Sequence, residues 1–192
     1  MSHLARDPWV DVKTFHGLQA DHVISALQKE IRRGNTESAA LLAYEMITTS
    51  AALEDYLWHR LKVISVEDIG FGEPLAPVML QSLYEMCSAC DRGVSERKLY
   101  AIHAVRYLCQ CKKDRSTDEM INWINHSSKL GNVQPVIPDY ALDMHTAEGQ
   151  KKGRGRRHFF EEASRVIPEA EERDRTYLDR IMQMLDSDEL KD

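Results

Sequence analysis

This sequence predicts an all-α fold: a single helical domain of about seven or eight helices built from antiparallel hairpins, with a long structured loop near residues 131–156. Three observations predict it. Apolar residues recur at spacings of three and four through most of the chain. The segments so marked are bounded by glycine, proline or a capping residue. No segment alternates as a strand does, apart from the short stretch Val133 to Ile137.

The elements follow in order. Residues 1–20 carry Trp9, Val10, Val12 and Phe15 without helical spacing. They read as an arm packed on the body or on a neighbouring subunit, with a turn at His16-Gly17. Asp21 is a good N-cap for a helix through Arg33 with Val23, Ile24, Leu27 and Ile31 on one stripe. Arg32 and Arg33 complement its C-terminal dipole, and Gly34 ends it. Asn35 or Thr36 caps a second helix, where Ala39, Ala40 and Ala43 permit close approach. The short connection makes the two an antiparallel hairpin.

The stretch Tyr56 to Pro77 organises the rest. Its helix places Leu53, Leu57, Leu61 and Ile64 on one face, then delivers Glu67 and Asp68 just before Ile69-Gly70. Gly70 and Gly72 let the backbone turn, and Pro74 and Pro77 pre-set the next helix. That fourth helix, about 75–91, is expected to face Met79, Leu80, Leu83, Met86, Cys87 and Cys90 inward. Ser95 caps a fifth carrying Leu99, Ile102, Val105, Leu108 and Cys109, with His103 beside the stripe as a hydrogen-bonded core residue. Ser116-x-x-Glu119 has the form of a capping box, so a sixth helix over about 117–130 buries Met120, Ile121, Trp123 and Ile124. Gly131 stops it.

From Pro138 to Gly155 acids, a histidine, a tyrosine and three glycines mix without a clean period. Loops this long inside a compact domain are usually functional or disordered, and Tyr140, Leu142 and Met144 favour order. A helix from Arg157 to Ile167 is stopped by Pro168, and a last one spans about 174–185. Residues 21–167 thus form the helical domain; residues 168–192 add a C-terminal helix and an acidic tail that should fray.

Composition sets limits on function. A chain of 192 residues can bury a proper core. No apolar run approaches the roughly 20 residues needed to cross a bilayer, and the N-terminus lacks the apolar centre of a signal peptide. A cytoplasmic location without membrane contact is expected. The net charge of −6 argues against a protein coated in phosphate-binding cations. Four cysteines fall as Cys87-x-x-Cys90 and Cys109-x-Cys111 and invite a zinc reading. Both pairs lie inside helical patterns, where cysteines behave as small hydrophobes. Neither a metal nor another cofactor is expected.

Three sets of residues carry candidate chemistry. Glu67, Asp68 and Gly70 read first as a catalytic or metal-binding device, and more simply as a lock whose carboxylates tie neighbouring loops together. The run Lys151, Lys152, Arg154, Arg156 and Arg157 puts five cations in seven residues, with glycines that expose backbone N–H groups. Together with Lys112 and Lys113 it suits phosphate or nucleic-acid contact. Asp139, Asp143 and His145 form an enzyme-like constellation: Asp-x-His spacing suits a carboxylate-oriented base or metal ligands, although no nucleophile accompanies it.

Three blocks resemble one family. They are HVISALQKEIRRGNTESAALLA from His22, RLKVISVEDIGFGEPLAP from Arg60, and AIHAVRYLCQCKK from Ala101. Together they resemble the C-terminal domain of the MgsA family of clamp-loader-like AAA+ ATPases, also called replication-associated recombination protein A and related to the eukaryotic Werner-helicase-interacting ATPase. The resemblance covers roughly residues 20–165. After Pro138 the family carries a His, a Lys and a Gly-Tyr-Gly turn, whereas this chain has Asp143, His145 and Gly153-Arg154-Gly155.

The resemblance implies a domain that follows an ATPase module and its lid, assembles into homotetramers, and serves proteins acting at stalled forks beside single-stranded-DNA-binding protein. No G-x-x-x-x-G-K-[ST] phosphate loop occurs here, so the chain is not expected to be a P-loop ATPase by itself. It reads as the oligomerisation domain standing alone, or as a fragment or partner of a larger machine, with a separate AAA+ ATPase or replication protein and DNA as partners. The competing reading is a metal- or acid/base-dependent enzyme acting on a phosphorylated or nucleotide substrate.

Overall fold

The structure, a computed structural model, describes residues 7–187 and 189–191. The first six residues of the expected arm, and Asp188 and Asp192 of the expected tail, lie outside the described residues. Among the described residues there are nine α-helices and no strand; the 133–137 stretch is irregular. The chain divides into two compact units, Met1–Asn132 and Val133–Asp192.

The first unit is a helical core entered by an ordered arm. Lys13 and Gln19 bridge across the Gly17 turn, where φ is +77°. Trp9 packs on Tyr56 with ring centroids 5.1 Å apart, and Phe15 is exposed. The Ala20 N–H bonds to the Val12 carbonyl, so helix α1 spans Ala20–Arg33 with Gln19 as its N-cap and Asp21 in its first turn. Gly34, left-handed at φ +75°, caps its end by donating to the Glu30 and Ile31 carbonyls. Helix α2 (Thr36–Thr49) returns against α1, with Ala39 and Ala43 fully buried. Helix α3 (Ala51–Ile64) starts at Ser50, whose hydroxyl accepts the Leu53 N–H at 3.2 Å. Leu53, Leu57, Leu61 and Ile64 are all fully buried. Each such side chain contributes about 1.5–3 kcal/mol relative to leaving it in water.

A π-helical turn, Ser65–Ile69, and a 3₁₀ turn, Gly70–Gly72, lead to α4 (Ala76–Ser88) and α5 (Ser95–Gln110). Their buried stripes correct several expectations. On α4 the inward row is Ala76, Leu80, Leu83 and Cys87, and Met79 and Met86 are exposed at its flanks. On α5 the small side chains Ala101 and Ala104 pack the helix closely against α2, which turns Leu99 and His103 out to solvent. His103 is therefore not a core histidine.

The largest departure is α6 (Ser116–Lys129). Met120, Ile121, Trp123 and Ile124 are exposed rather than buried. The helix meets the Ser65–Ile69 turn through its polar side, where Arg115 and Asp118 lie, so the apolar stripe faces out. The expected cap shifts as well: Arg115 holds the N-cap position and Ser116 is the first helical residue.

The second unit is built from short pieces: a 3₁₀ turn Asp139–Ala141, α7 (Ala147–Lys151), α8 (Arg156–His158), a π-helical turn Phe159–Ala163, and α9 (Thr176–Asp186). The helix expected over 157–167 ends early because the Ser164 N–H reaches back to the Phe159 carbonyl at 2.8 Å, five residues away, which closes the turn before Pro168.

Candidate functional site

The Glu67–Asp68 turn is built by the chain around it. Gly70 has φ +51° and ψ −132°, a region that side-chain-bearing residues rarely adopt. The linker after α5 presses on this backbone: the Asp114 N–H donates to both the Asp68 and Ile69 carbonyls at 3.1 Å. A Cβ at Gly70 would collide with the Asp114 carbonyl oxygen, and one at Gly72 with that of Lys112. Glycine is needed at 70 for its conformation and at both positions for close approach.

The two acids sit among cations drawn from two helices, α1 and α3, and from the α5–α6 linker. The Asp68 side chain is fully buried. It accepts from Arg32 Nε at 2.5 Å, from Gln28 Nε2 at 2.9 Å and from the Arg115 guanidinium. Glu67 accepts from Gln28 at 2.8 Å and lies 3.4 Å from both Arg32 and Arg115 and 3.9 Å from Arg60. Arg60 also bonds to the Gln28 side-chain oxygen, and Arg115 reaches on to Asp118. Burial works against the Arg115 charge, yet Asp68, Asp118 and Glu67 outweigh it and hold its pKa above the ordinary arginine value. A buried carboxylate that already accepts from three donors has little lone-pair capacity left for a substrate. What this cluster does chemically is couple α1, α3, the turn and the start of α6.

In the second unit the enzyme-like constellation separates into two pairs. Asp143 accepts the His145 backbone N–H at 3.0 Å and faces its Nδ1 at 3.1 Å. The His145 hydrogen bonds, side chain first and backbone next, hold the Asp143 carboxyl below its ordinary range. The imidazole is well exposed and edges onto the Phe159 ring at 5.2 Å. Gly149 is buried against this turn, and a Cβ there would collide with the Asp143 carbonyl.

Asp139 is engaged otherwise: Lys152 reaches it at 2.9 Å and Arg154 pairs with it directly. These two cations hold its pKa down at about 2. Arg154 also donates to the Asp139 and Leu142 carbonyls at 2.6 and 2.9 Å, pinning the 3₁₀ turn.

The basic run is accordingly less free than its composition suggests. Arg156 donates to the Lys191 carbonyl at 2.7 Å, and Arg157 pairs with Asp186 at 2.7 Å and Glu161 at 3.3 Å. In the first unit Lys113 donates to the Leu108, Cys109 and Cys111 carbonyls, as a cation at a helix C-terminus does. Lys112 and Lys151 are exposed.

Sequence reasoning missed a second buried charge pair. Arg97 Nε donates to Glu54 at 2.7 Å, both side chains being almost fully buried, and Arg97 also donates to the Cys87 and Cys90 carbonyls at 2.7 and 2.8 Å. Arg92 completes the Glu54 carboxylate at 2.6 Å. The signal was in the register: Arg97 precedes Ala101 by one helical step of four, and Glu54 precedes Trp58 in the same way. Arg32, Arg60 and Gln28 were likewise missed as partners of the turn. The four cysteines are free thiols. Burial pushes those of Cys87, Cys109 and Cys111 above their ordinary pKa, which keeps them protonated and unreactive. Among the described residues no group of three or more His, Cys, Asp or Glu is placed to hold a metal, and no helix is long and apolar enough to cross a membrane.

Comparison with known proteins adds two findings. Residues 34–179 match the family model described as the MgsA AAA+ ATPase C terminal. The chain is also 28% identical over 123 residues to Replication-associated recombination protein A of Haemophilus influenzae. The alignment takes in 64% of this chain and 26% of that protein, so the chain spans about a quarter of the relative's length. The matched segment holds the Glu67–Asp68 turn, its arginine partner on the α5–α6 linker and the Asp143–His145 loop together, and by it the chain belongs to the family of MgsA AAA+ ATPase C-terminal domains.

Proposed function

We propose that this chain is a non-catalytic assembly and adaptor domain serving DNA replication, recombination or repair, forming a homotetramer or acting with an AAA+ ATPase. Family membership carries the reading, because the matched region is the part that follows the ATPase in that family's name and contains no phosphate loop of its own. The geometry supports it. Glu67 and Asp68, with Gly70, act as a structural lock, since their polar partners are protein side chains on α1, α3 and the linker. The test is the solution mass of the 192-residue chain, alone and mixed with an AAA+ ATPase of the family. A stable homo-oligomer or a stoichiometric complex is expected; a monomer that ignores the ATPase overturns the reading.

DNA contact is the finer part of this proposal. Lys112 and Lys151 are the cations best placed for phosphate, because Lys113, Lys152, Arg154, Arg156 and Arg157 already hold partners within their own units. Binding should therefore be weak, with a shallow salt dependence because few counterions are released. Lys112→Ala with Lys151→Ala should lower it while leaving the fold intact. Arg154→Ala should instead loosen the 139–142 turn. Binding that is unchanged in the double lysine variant removes this part of the proposal.

One observation favours a second reading. The Asp143–His145 pair presents an exposed imidazole oriented by a carboxylate, as a general base is. Asp139, Asp143 and His145 would then serve a phosphorylated or nucleotide substrate. A hydrolytic activity lost in His145→Ala, with the oligomer intact, would establish it.

A further inference from the structure

The basic run of the second unit is held by the chain's own acidic end. From Glu161 onward acids outnumber cations, whereas Lys151 to Arg157 is densely basic. The two stretches meet in the fold. Arg157 gives one terminal nitrogen of its guanidinium to Asp186 at 2.7 Å and the other to Glu161 at 3.3 Å. Arg156 donates to the Lys191 carbonyl at 2.7 Å. A guanidinium recognises a phosphate through the same paired N–H groups. Asp186 and a phosphate oxygen therefore compete for Arg157.

The placement of Asp186 does not serve its own helix. It is the last residue of α9, whose final turn carries no basic residue. A carboxylate there sits at the negative end of the helix dipole and weakens the helix. Arg157, 29 residues earlier, offsets that charge. The preceding residue, Leu185, is buried and seats the end of α9 in the unit, which delivers Asp186 to the run. The contact is also easily opened. Asp186 is 67% exposed, and Arg157 and Glu161 both keep access to water. Exposed ion pairs contribute little and are screened by salt. A polyanion, by contrast, releases counterions for each phosphate that a cation neutralises. A nucleic-acid backbone can thus displace what a single carboxylate holds.

We propose that the end of α9 is an autoinhibitory cover: Asp186 and the Lys191 carbonyl occupy Arg157 and Arg156 and withhold them from a nucleic-acid phosphate backbone until that backbone displaces them. The inference rests on the DNA-contact reading above and adds its regulation. Lys151, exposed in the same run, takes the first weak contact. Opening of the cover then adds Arg156 and Arg157.

The test measures binding of the full chain to a labelled single-stranded oligonucleotide of mixed sequence, by fluorescence anisotropy across a salt series. Asp186→Ala should tighten binding about fivefold and steepen the dependence of log Kd on log salt by about 0.7 for each cation released. Asp179→Ala removes the same charge from α9 at a residue that faces Arg175 instead, and should change affinity by about twofold or less. Arg157→Ala added to Asp186→Ala should cancel the gain, with helical content unchanged by circular dichroism. A gain at Asp186 no larger than that at Asp179 overturns the cover and leaves the DNA-contact reading standing. A gain that survives the added Arg157→Ala does the same. Binding that appears only once Asp186 is removed supports the cover most strongly. Binding absent from the wild type and from every variant overturns both the cover and the reading it rests on.

Discussion

Asp68 and Asp139 are both held by arginine, but one is fully enclosed in the first unit and the other lies on the surface of the second. Around Asp68 the partners come from α1 and the α5–α6 linker, 36 and 47 residues away in sequence. Around Asp139 they come from Lys152 and Arg154, 13 and 15 residues away. The first arrangement ties distant elements together where water cannot replace a lost partner. The second closes a local loop where water can. The same ion pair is therefore structural in one setting and only a local staple in the other.

Substitutions can break this contrast, and the largest effect should come at Gly70. Gly70→Val combines a positive φ with a collision against the Asp114 carbonyl, and should cost about 3 kcal/mol or more in denaturant unfolding. Next is Asp68→Asn, which leaves Arg32 and Arg115 facing a neutral group. A loss of about 2–3 kcal/mol is expected, discounted because both guanidinium groups keep some access to water. Glu67→Gln, at a partly exposed carboxylate, should cost about 1 kcal/mol or less. If Glu67 proves as sensitive as Asp68, depth is not what separates the two.

The smallest effect at neutral pH should be Asp139→Asn. Its sign with pH is specific. The folded carboxyl is held at about 2, below its unfolded value, so the unfolded chain takes up the proton first as pH falls. The stability it contributes is present above about pH 4 and is lost as pH drops toward 2. Wild type and Asp139→Asn should differ in amide-exchange protection of the 139–154 loop at pH 5 and converge near pH 2. No difference at pH 5 would mean the loop is held by the Arg154–carbonyl bonds rather than by the charge.

Most of the helices were legible because their signals are local. Gly34 after Arg33, Gly131 after α6, and the Leu53–Leu57–Leu61–Ile64 row need only the chain within a turn or two. The turn at Glu67–Gly70 was legible as a turn for the same reason. Its partners were not: no spacing rule connects Gln28, Arg32, Arg60 and Arg115 to one carboxylate pair, because they meet only when α1, α3 and the linker pack. The partners of the basic run were not legible either, since composition counts charges but not the carbonyls and carboxylates that fold back on them.

The sequence by itself determined the helical class, the family and the glycine turn, because helical period, capping and motif residues act over a few neighbours. The tertiary structure alone decided which face of each helix is buried. α6 carries the same apolar stripe as a core helix, yet Arg115 and Asp118 anchor its polar side to the body and leave Met120 to Ile124 outside. Periodicity marks a face that avoids water; only packing says whether its own chain covers it.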